Sequence, residues 1–392
     1  MVKIRVGIVG AGFAAHIHVA AYRENREYFE VVGVCAAHRE SAERFAQRYG
    51  IERVYDDVVS LVSSKEIDVV DVCVPTNVHE EVILAACESR KHIICEKPLT
   101  GYFGEDKPDV ERVGEIPKEH MYKKVLEKVN KIEEALKKSG VKFMYAENFV
   151  YAPAVSKAKR LLIASKAPIM ELRAEESHSG SHASYSRRWR TAGGGSLLRM
   201  GSHPIGAVIH LKHFEGRHLY GKPIRVKSVF AEVANLTKME AVKRFEKPFM
   251  VTDWLDVEDW SCAVLTFEDG SKAVVISNDI SLGGVKNLLQ INTANGMIYC
   301  NMTPNNAMIV YTPDPRTWGD EYIAEKIETK AGWSFPSPDE DWVRGYPQEM
   351  RDFAKAILED KEPESDFELA KETVKVIYAA YLSAEKGMRV DL

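Results

Sequence analysis

Apolar residues early in the chain fall in short unbroken blocks: Lys3 to Val9, Glu30 to Cys35, Asp68 to Val74, Ile93 to Cys95 and Val141 to Ala146. Such blocks, rich in β-branched residues and lacking polar alternation, are what strands buried on both faces require. Between them apolar positions recur at helical spacing, as in Met121 to Lys138, where Val125, Val129, Ile132 and Leu136 share a face. Further helical stretches run to about Arg26 and from about Glu80 to Arg90. Alternating strands and helices predict an α/β domain with a parallel, doubly wound sheet over residues 1–147. Gly101 to about His120 has neither period; a segment this long is a surface excursion or a lid beside the sheet edge.

Past Asn148 the pattern changes. After a helix at Ala154–Ser165, strands follow without intervening helices at Ile169–Ala174, Val226–Val233, Cys262–Phe267, Ala273–Ser277, Leu288–Asn292 and Met297–Cys300. Asp269-Gly270 and Asn295-Gly296 are hairpin signals between them. Residues 148–392 therefore read as an α+β domain with a mostly antiparallel sheet. Two amphipathic helices, at about Gln348–Glu359 and Glu368–Lys386, close the chain.

Candidate chemistry sits where strands end. Gly10-Ala11-Gly12-Phe13-Ala14-Ala15 joins the first strand to its helix. Gly10 permits a tight turn, and Gly12 lets the backbone approach a pyrophosphate lying on the helix N-terminus beside Phe13 and Ala14. After the second strand, where a carboxylate usually holds the ribose of NAD, the chain reads Ala36-Ala37-His38-Arg39. That removes repulsion against a 2′-phosphate and supplies cations, so the cofactor is NAD or NADP with the balance toward NADP. Pro75, Thr76, Asn77 and His79 follow the third long strand, and Glu96-Lys97-Pro98 follows the fourth. Proline holds Lys97 extended, and the carboxyl ends of parallel strands are where such sheets bind ligands. Burial there would lower the lysine pKa toward a useful range.

The chain has 392 residues, 45% hydrophobic and 28% charged, with net charge −5. This is the composition of a soluble two-domain protein and argues against a general nucleic-acid surface. No apolar run spans a bilayer, and Met1 to Val6 enters a strand directly, without a signal peptide. Its six cysteines form no Cys-x-x-Cys pair and read as reduced core residues in a cytoplasmic protein.

In the second domain, Gly193-Gly194-Gly195 precedes a helical run from Leu197 to Leu211 that places Arg199 and His203 four residues apart. A histidine beside a nicotinamide is suited to taking a hydroxyl proton. Glu176 and His178, in the polar stretch Glu175 to His182, line the same cleft. His178, His182 and Glu176 also raise a metal site, which is set aside because hydride chemistry on nicotinamide needs none. Trp189 lies among Arg187, Arg188 and Arg190, which are either a solvated basic loop or selectors of an anion. Pro75, Thr76, Asn77, His79, Glu96 and Asn148 are assigned to the cofactor, and Tyr151 and Trp189 to the substrate.

Taken in order, the glycine loop, Glu96-Lys97-Pro98 and Gly193-Gly194-Gly195 with His203 resemble the Gfo/Idh/MocA oxidoreductases over nearly the whole chain. The resemblance implies an N-terminal Rossmann domain, a C-terminal open-faced sheet that forms an oligomer contact, and NAD(P)-dependent oxidation or reduction of a sugar, cyclitol or related hydroxyl compound. It implies that Lys97 is the catalytic lysine and His203 the proton-transferring histidine, with the Lys97–Pro98 bond often cis. One departure stands out: the Asp common four residues before the histidine is Arg199, and the later, often acidic position is Gly206. Arginine accepts no hydrogen bond. Glu175, Glu176 and His178 are the candidates to replace the acceptor. Arg199 itself either lowers the pKa of His203 and draws an anionic substrate, or pairs with Glu175 or Glu176 and braces the domain. Two alternatives stand beside the dehydrogenase: a glycosidase that retains NAD and acts by transient oxidation, and a non-catalytic cofactor-binding sensor.

Overall fold

The computed structural model describes residues 3–304 and 306–392. Met1 and Val2, part of the expected run into the first strand, lie outside them.

Six strands form the first sheet: β1 (Ile4–Val9), β2 (Phe29–Cys35), β3 (Arg53–Val54), β4 (Val69–Val72), β5 (His92–Glu96) and β6 (Phe143–Ala146). All pair in parallel in the order β3-β2-β1-β4-β5-β6. The order reverses between β1 and β4, so the glycine loop after β1 sits at the point where a doubly wound sheet opens a crevice. The short β3 and the helix Val58–Val62 are too brief to show a period. The helix after β4 starts at Thr76, earlier than its apolar period shows, because Pro75 sets an extended start at its N-cap.

The second sheet contains β7 (Ile169–Ser177), β8 (Val226–Ala234), β9 (Trp260–Phe267), β10 (Lys272–Asn278), β11 (Lys286–Thr293) and β12 (Gly296–Thr303). After a small hairpin of β13 (Val310–Thr312) and β14 (Gly332–Ser334), the terminal β15 (Val390–Asp391) completes it. The order is β12-β11-β7-β10-β9-β8-β15, antiparallel except that β7 and β10 run parallel. Register makes the two faces unlike. Ala231, Ala263, Val275, Ala174, Leu289 and Cys300 lie side by side and are buried. One residue along, Phe230, Val264, Val274, Arg173, Gln290 and Tyr299 form a row on the opposite face, where Phe230, Val264 and Tyr299 are exposed. The period of two produces both rows.

The last long helix, Phe367–Lys386, packs on β8 and against the helices Lys118–Ser139 and Ser202–Tyr220, joining the two domains. The 101–120 excursion is a strap rather than a lid. Tyr102 N donates to Tyr378 Oη, and Trp189 Nε1 donates to the Tyr102 carbonyl at 3.0 Å. Arg190 donates to the carbonyls of Phe103, Gly104, Lys107, Pro108 and Val110. An arginine fork thus satisfies backbone acceptors that have no strand partner.

Candidate active site

β5 ends at Glu96, and the Lys97–Pro98 bond is cis. Glu96 accepts from the Lys97 amide through Oε2 and lies 3.2 Å from His18 Nε2 through Oε1. Burial pushes the Glu96 carboxyl up, but the His18 bond and the charges of His18 and Lys97 outweigh this and hold it below its usual value. Lys97 crosses to the second domain, where Nζ donates to the Arg199 carbonyl at 3.0 Å. A main-chain acceptor holds the ammonium without neutralising it, leaving its charge felt by Glu147, Glu176 and His203.

His203 lies just past a break, in the first turn of the helix that follows it. The expected helix from Leu197 to Leu211 is two helices, Ser196–Arg199 and Ser202–Tyr220. Gly201 turns the chain between them so tightly that a Cβ there would lie 2.2 Å from the Leu197 carbonyl oxygen. The imidazole stacks on Phe149 at 4.7 Å, and its Nδ1 is 2.6 Å from Glu147 Oε1. That oxygen also accepts from the Phe149 amide, and in the Nδ1–H tautomer it accepts from the imidazole as well. Nε2 is then the basic nitrogen, and it faces Glu176 Oε2 at 3.8 Å. Burial, with help from Lys97 and Arg344, holds the His203 pKa well below its usual value. Burial likewise pushes Glu147 well up, against the pull of Lys97 and with a push from Glu176. Glu176 rises to about 7, driven by burial against Lys97 and Arg344.

The cofactor cradle fits its expected occupant. Gly10 has φ +117°, and a Cβ on it would fall 2.2 Å from the Cys73 carbonyl oxygen. Gly12 caps the helix Phe13–Glu24 without any side-chain bond, and a Cβ there would meet no atom within 4 Å. Open space over uncapped first-turn amides suits a pyrophosphate. His38 caps the helix Arg39–Tyr49, and Arg39 pairs at the surface with Glu43 and Asp56.

Family profiles match most of the chain. The profile for the NAD-binding Rossmann fold of the Gfo/Idh/MocA oxidoreductases covers residues 4–116, and that for their C-terminal alpha/beta domain covers residues 173–392. The chain belongs to the Gfo/Idh/MocA oxidoreductase family. It is 32% identical over 169 residues to levoglucosan dehydrogenase of Pseudarthrobacter phenanthrenivorans, covering 41% of this chain and 37% of that one. It is 22% identical over 398 residues to myo-inositol 2-dehydrogenase of Thermotoga maritima, covering 99% and 98%. Thus the chain spans little more than a third of the first of these relatives but almost all of the second. Among solved structures, GenD2 from gentamicin A biosynthesis, in complex with NAD, superposes with TM-score 0.78 at 20% identity over 100% of this chain and 97% of that one. Levoglucosan dehydrogenase in complex with NADH gives 0.73 at 23% identity, over 100% and 99%.

In this Gfo/Idh/MocA member, several residues expected in the cleft are engaged elsewhere. Tyr151 Oη donates to Asp352 at 2.8 Å and accepts from the Ser365 amide. Trp189 is buried on Tyr381 against the strap. Asn148 Nδ2 donates to the Arg344 carbonyl at 2.9 Å, so it holds the segment that carries Arg344. His79 is buried, its ring nitrogens facing the carbonyls of Pro98 and Val74, and clamps the Lys97–Pro98 turn from below. Even the three glycines serve internal packing: a Cβ on Gly195 would strike the Glu258 carbonyl at 1.9 Å.

Arg199 pairs with neither Glu175 nor Glu176. Its guanidinium bonds Asp279, whose side chain is wholly buried, and lies 5.0 Å over the Trp254 ring. Because the helix breaks after Arg199, the two side chains diverge, and the charges that act on His203 are Lys97 and Arg344. Strand alternation separates the two glutamates. Glu176 follows Ala174 to the inner face, while Glu175 follows Arg173 outward to meet Lys286 at 2.9 Å. His178 accepts from the Gly180 amide, and burial with Arg199 lowers its pKa well below the usual value. Sequence reasoning did not find Glu147, Asp279 or Arg344. Arg344 is buried at the end of the short helix Glu340–Arg344 and pairs with Glu325 at 2.6 Å and Glu340 at 2.7 Å. The one signal for Glu147 was a carboxylate ending the apolar block at Ala146.

Proposed function

We propose that this protein is an NAD(P)-dependent oxidoreductase that transfers a hydride between nicotinamide and a hydroxyl or keto carbon of a sugar, cyclitol or sugar acid. The observation that carries this is the convergence of Lys97, from the edge of the parallel sheet, with His203, from the second domain, beside an open glycine cradle. The relatives named levoglucosan dehydrogenase and myo-inositol 2-dehydrogenase point to the same substrate class. Bound in the cradle, NAD(P) supplies the hydride acceptor or donor. His203 Nε2 takes the hydroxyl proton, since the imidazole is kept neutral and its Nδ1 proton is held by Glu147. Lys97 Nζ stabilises the oxygen as negative charge develops. Arg199 is neutralised by Asp279, which favours a neutral polyol over an acidic sugar.

Gly10, Gly12, Phe13, Ala14 and Pro75 to Asn77 form the cofactor side. Ala36, His38 and Arg39 offer no carboxylate against a 2′-phosphate, which supports NADP; Arg39 would have to exchange Glu43 and Asp56 for it. The exposed row through Phe230, Val264 and Tyr299 is the surface through which copies of the chain would associate, in a cytoplasmic enzyme. Among the described residues no helix is long and apolar enough to cross a membrane.

The test is turnover of a panel of polyols, aldoses and sugar acids with both cofactors. Lys97→Ala and His203→Ala should each lower kcat/KM by about 10²–10⁴, the usual worth of a positioned proton-transfer group. Wild-type rates in both variants would overturn the roles, and no turnover of any compound would overturn the reading.

A further inference from the structure

Resting on the dehydrogenase reading, we propose that Glu176 is the proton-exchange partner of His203: from β7 it replaces the acid missing at Arg199, and it carries the hydroxyl proton from the buried imidazole to the open cleft.

The imidazole has a carboxyl group on each side, and the two differ. Glu147 is wholly buried and holds Nδ1 at 2.6 Å, so it orients the ring and has no route to water. On the other side, Glu176 Oε2 is buried, has no hydrogen-bond partner and faces Nε2 at 3.8 Å. The same side chain keeps 11% of its surface exposed, against none for Glu147, so of the two carboxyl groups it is the one with a path to solvent. The gap exceeds a hydrogen bond by roughly 1 Å, and such contacts commonly tighten only when substrate is bound.

A proton left on His203 is poorly placed to escape alone. Phe149 covers the ring face, and Glu147 blocks Nδ1. In the proposed sequence the substrate O–H bond breaks and its proton joins Nε2, while the electron pair closes the carbonyl; NAD(P)⁺ held in the glycine cradle would supply the acceptor for the hydride that the carbon gives up. The Nε2–H bond then breaks toward Glu176 Oε2, restoring the neutral imidazole. The carboxylic acid finally gives its proton to water in the cleft. Reduction runs these steps backward.

The groups around Glu176 suit this exchange. Lys97 comes from beyond β5, Glu147 from beyond β6, His203 from its helix, Arg344 from the helix Glu340–Arg344, Glu325 from the irregular stretch before it, and Asp279 from beyond β10; His178 and Lys326 lie further along. Burial working against Lys97 and Arg344 raises the carboxyl pKa to about 7, so it accepts and releases a proton near neutral pH. At position 199, one residue before the break, a cation facing Asp279 has no access to Nε2.

Two measurements test this. Protein carrying ¹⁵N-labelled histidine, without any ligand, is titrated by NMR, with the His203 signals assigned by their loss in His203→Gln. The Nε2 shift should show an inflection near pH 7 while the ring stays neutral, and Glu176→Gln should abolish it. An inflection that persists in Glu176→Gln, or a ring that itself becomes imidazolium there, would overturn the pairing. On the panel compound with the highest turnover, Glu176→Gln should lower kcat about 10–100-fold with little change in KM and remove the limb of the pH profile near neutrality. Glu176→Asp should restore that limb in part. An unchanged profile in Glu176→Gln would refute the relay. Absence of any turnover would instead count against the dehydrogenase reading, and the NMR titration would still decide the pair.

Discussion

Arg199→Leu should destabilise the protein by about 3–5 kcal/mol at neutral pH, because it strands a buried carboxylate. The Asp279 side chain is wholly buried, and its ion-pair partner is the Arg199 guanidinium, itself 11% exposed. Burial pushes the Asp279 pKa up, and Arg199 is the first charge that pulls it back. Without that charge the carboxyl can escape by taking a proton. Protonating a group of ordinary pKa 3.8 at pH 7 costs about 4 kcal/mol, at 1.36 kcal/mol per unit, and this caps the charge penalty. Loss of the contact over the Trp254 ring adds about 1 kcal/mol. The sign of the pH dependence follows. In the variant the folded state binds a proton that the unfolded chain releases, so the penalty shrinks as pH falls, by up to about 1.4 kcal/mol per unit, down to the unfolded pKa. Arg199→Leu with Asp279→Leu removes both charges and should recover most of the loss. Urea denaturation of the wild type, the single and the double variant, at several pH values, measures all of this. A single-variant loss under about 1 kcal/mol, or a double variant no more stable than the single, would refute the bracing role.

Gly10→Ala should weaken NADH binding by at least about tenfold, because a left-handed backbone and a contact of 2.2 Å with the Cys73 carbonyl leave no room for a methyl group; wild-type affinity by calorimetry would contradict the cradle. Burial opposes charge on His18, but Asp71 and Cys73 outweigh it and hold its pKa well above 6.5. A raised folded pKa contributes stability that is fully present below the unfolded value and is lost as pH rises through the folded one. The stability gap between wild type and His18→Gln should therefore be widest below pH 6.5 and narrow with rising pH; a gap independent of pH would show that His18 is neutral.

Local pattern alone determined the parallel sheet, the glycine loop at its switch point and the lysine at the end of β5. Each depends on periods and turn residues that act within a few positions. The glycines before its helix singled out His203, and the resemblance of three ordered motifs to one family gave it the proton-transfer role. What pattern did not decide was which side chains meet. Arg199 and His203 are four residues apart, yet one glycine turn sends the first to Asp279, 80 positions away, and the second to Glu147, 56 positions away. The absence of helical and strand period in 101–120 marked a loop, but a loop and a strap differ only in their partners, here Tyr378, Trp189 and Arg190. Glu175 and Glu176 are equivalent in sequence and opposite in the sheet, where register places one against Lys286 and the other against the imidazole. Burial finished the work: it brought carboxyl groups and an imidazole into a space where water no longer levels their pKa values, and that depends on the assembled fold.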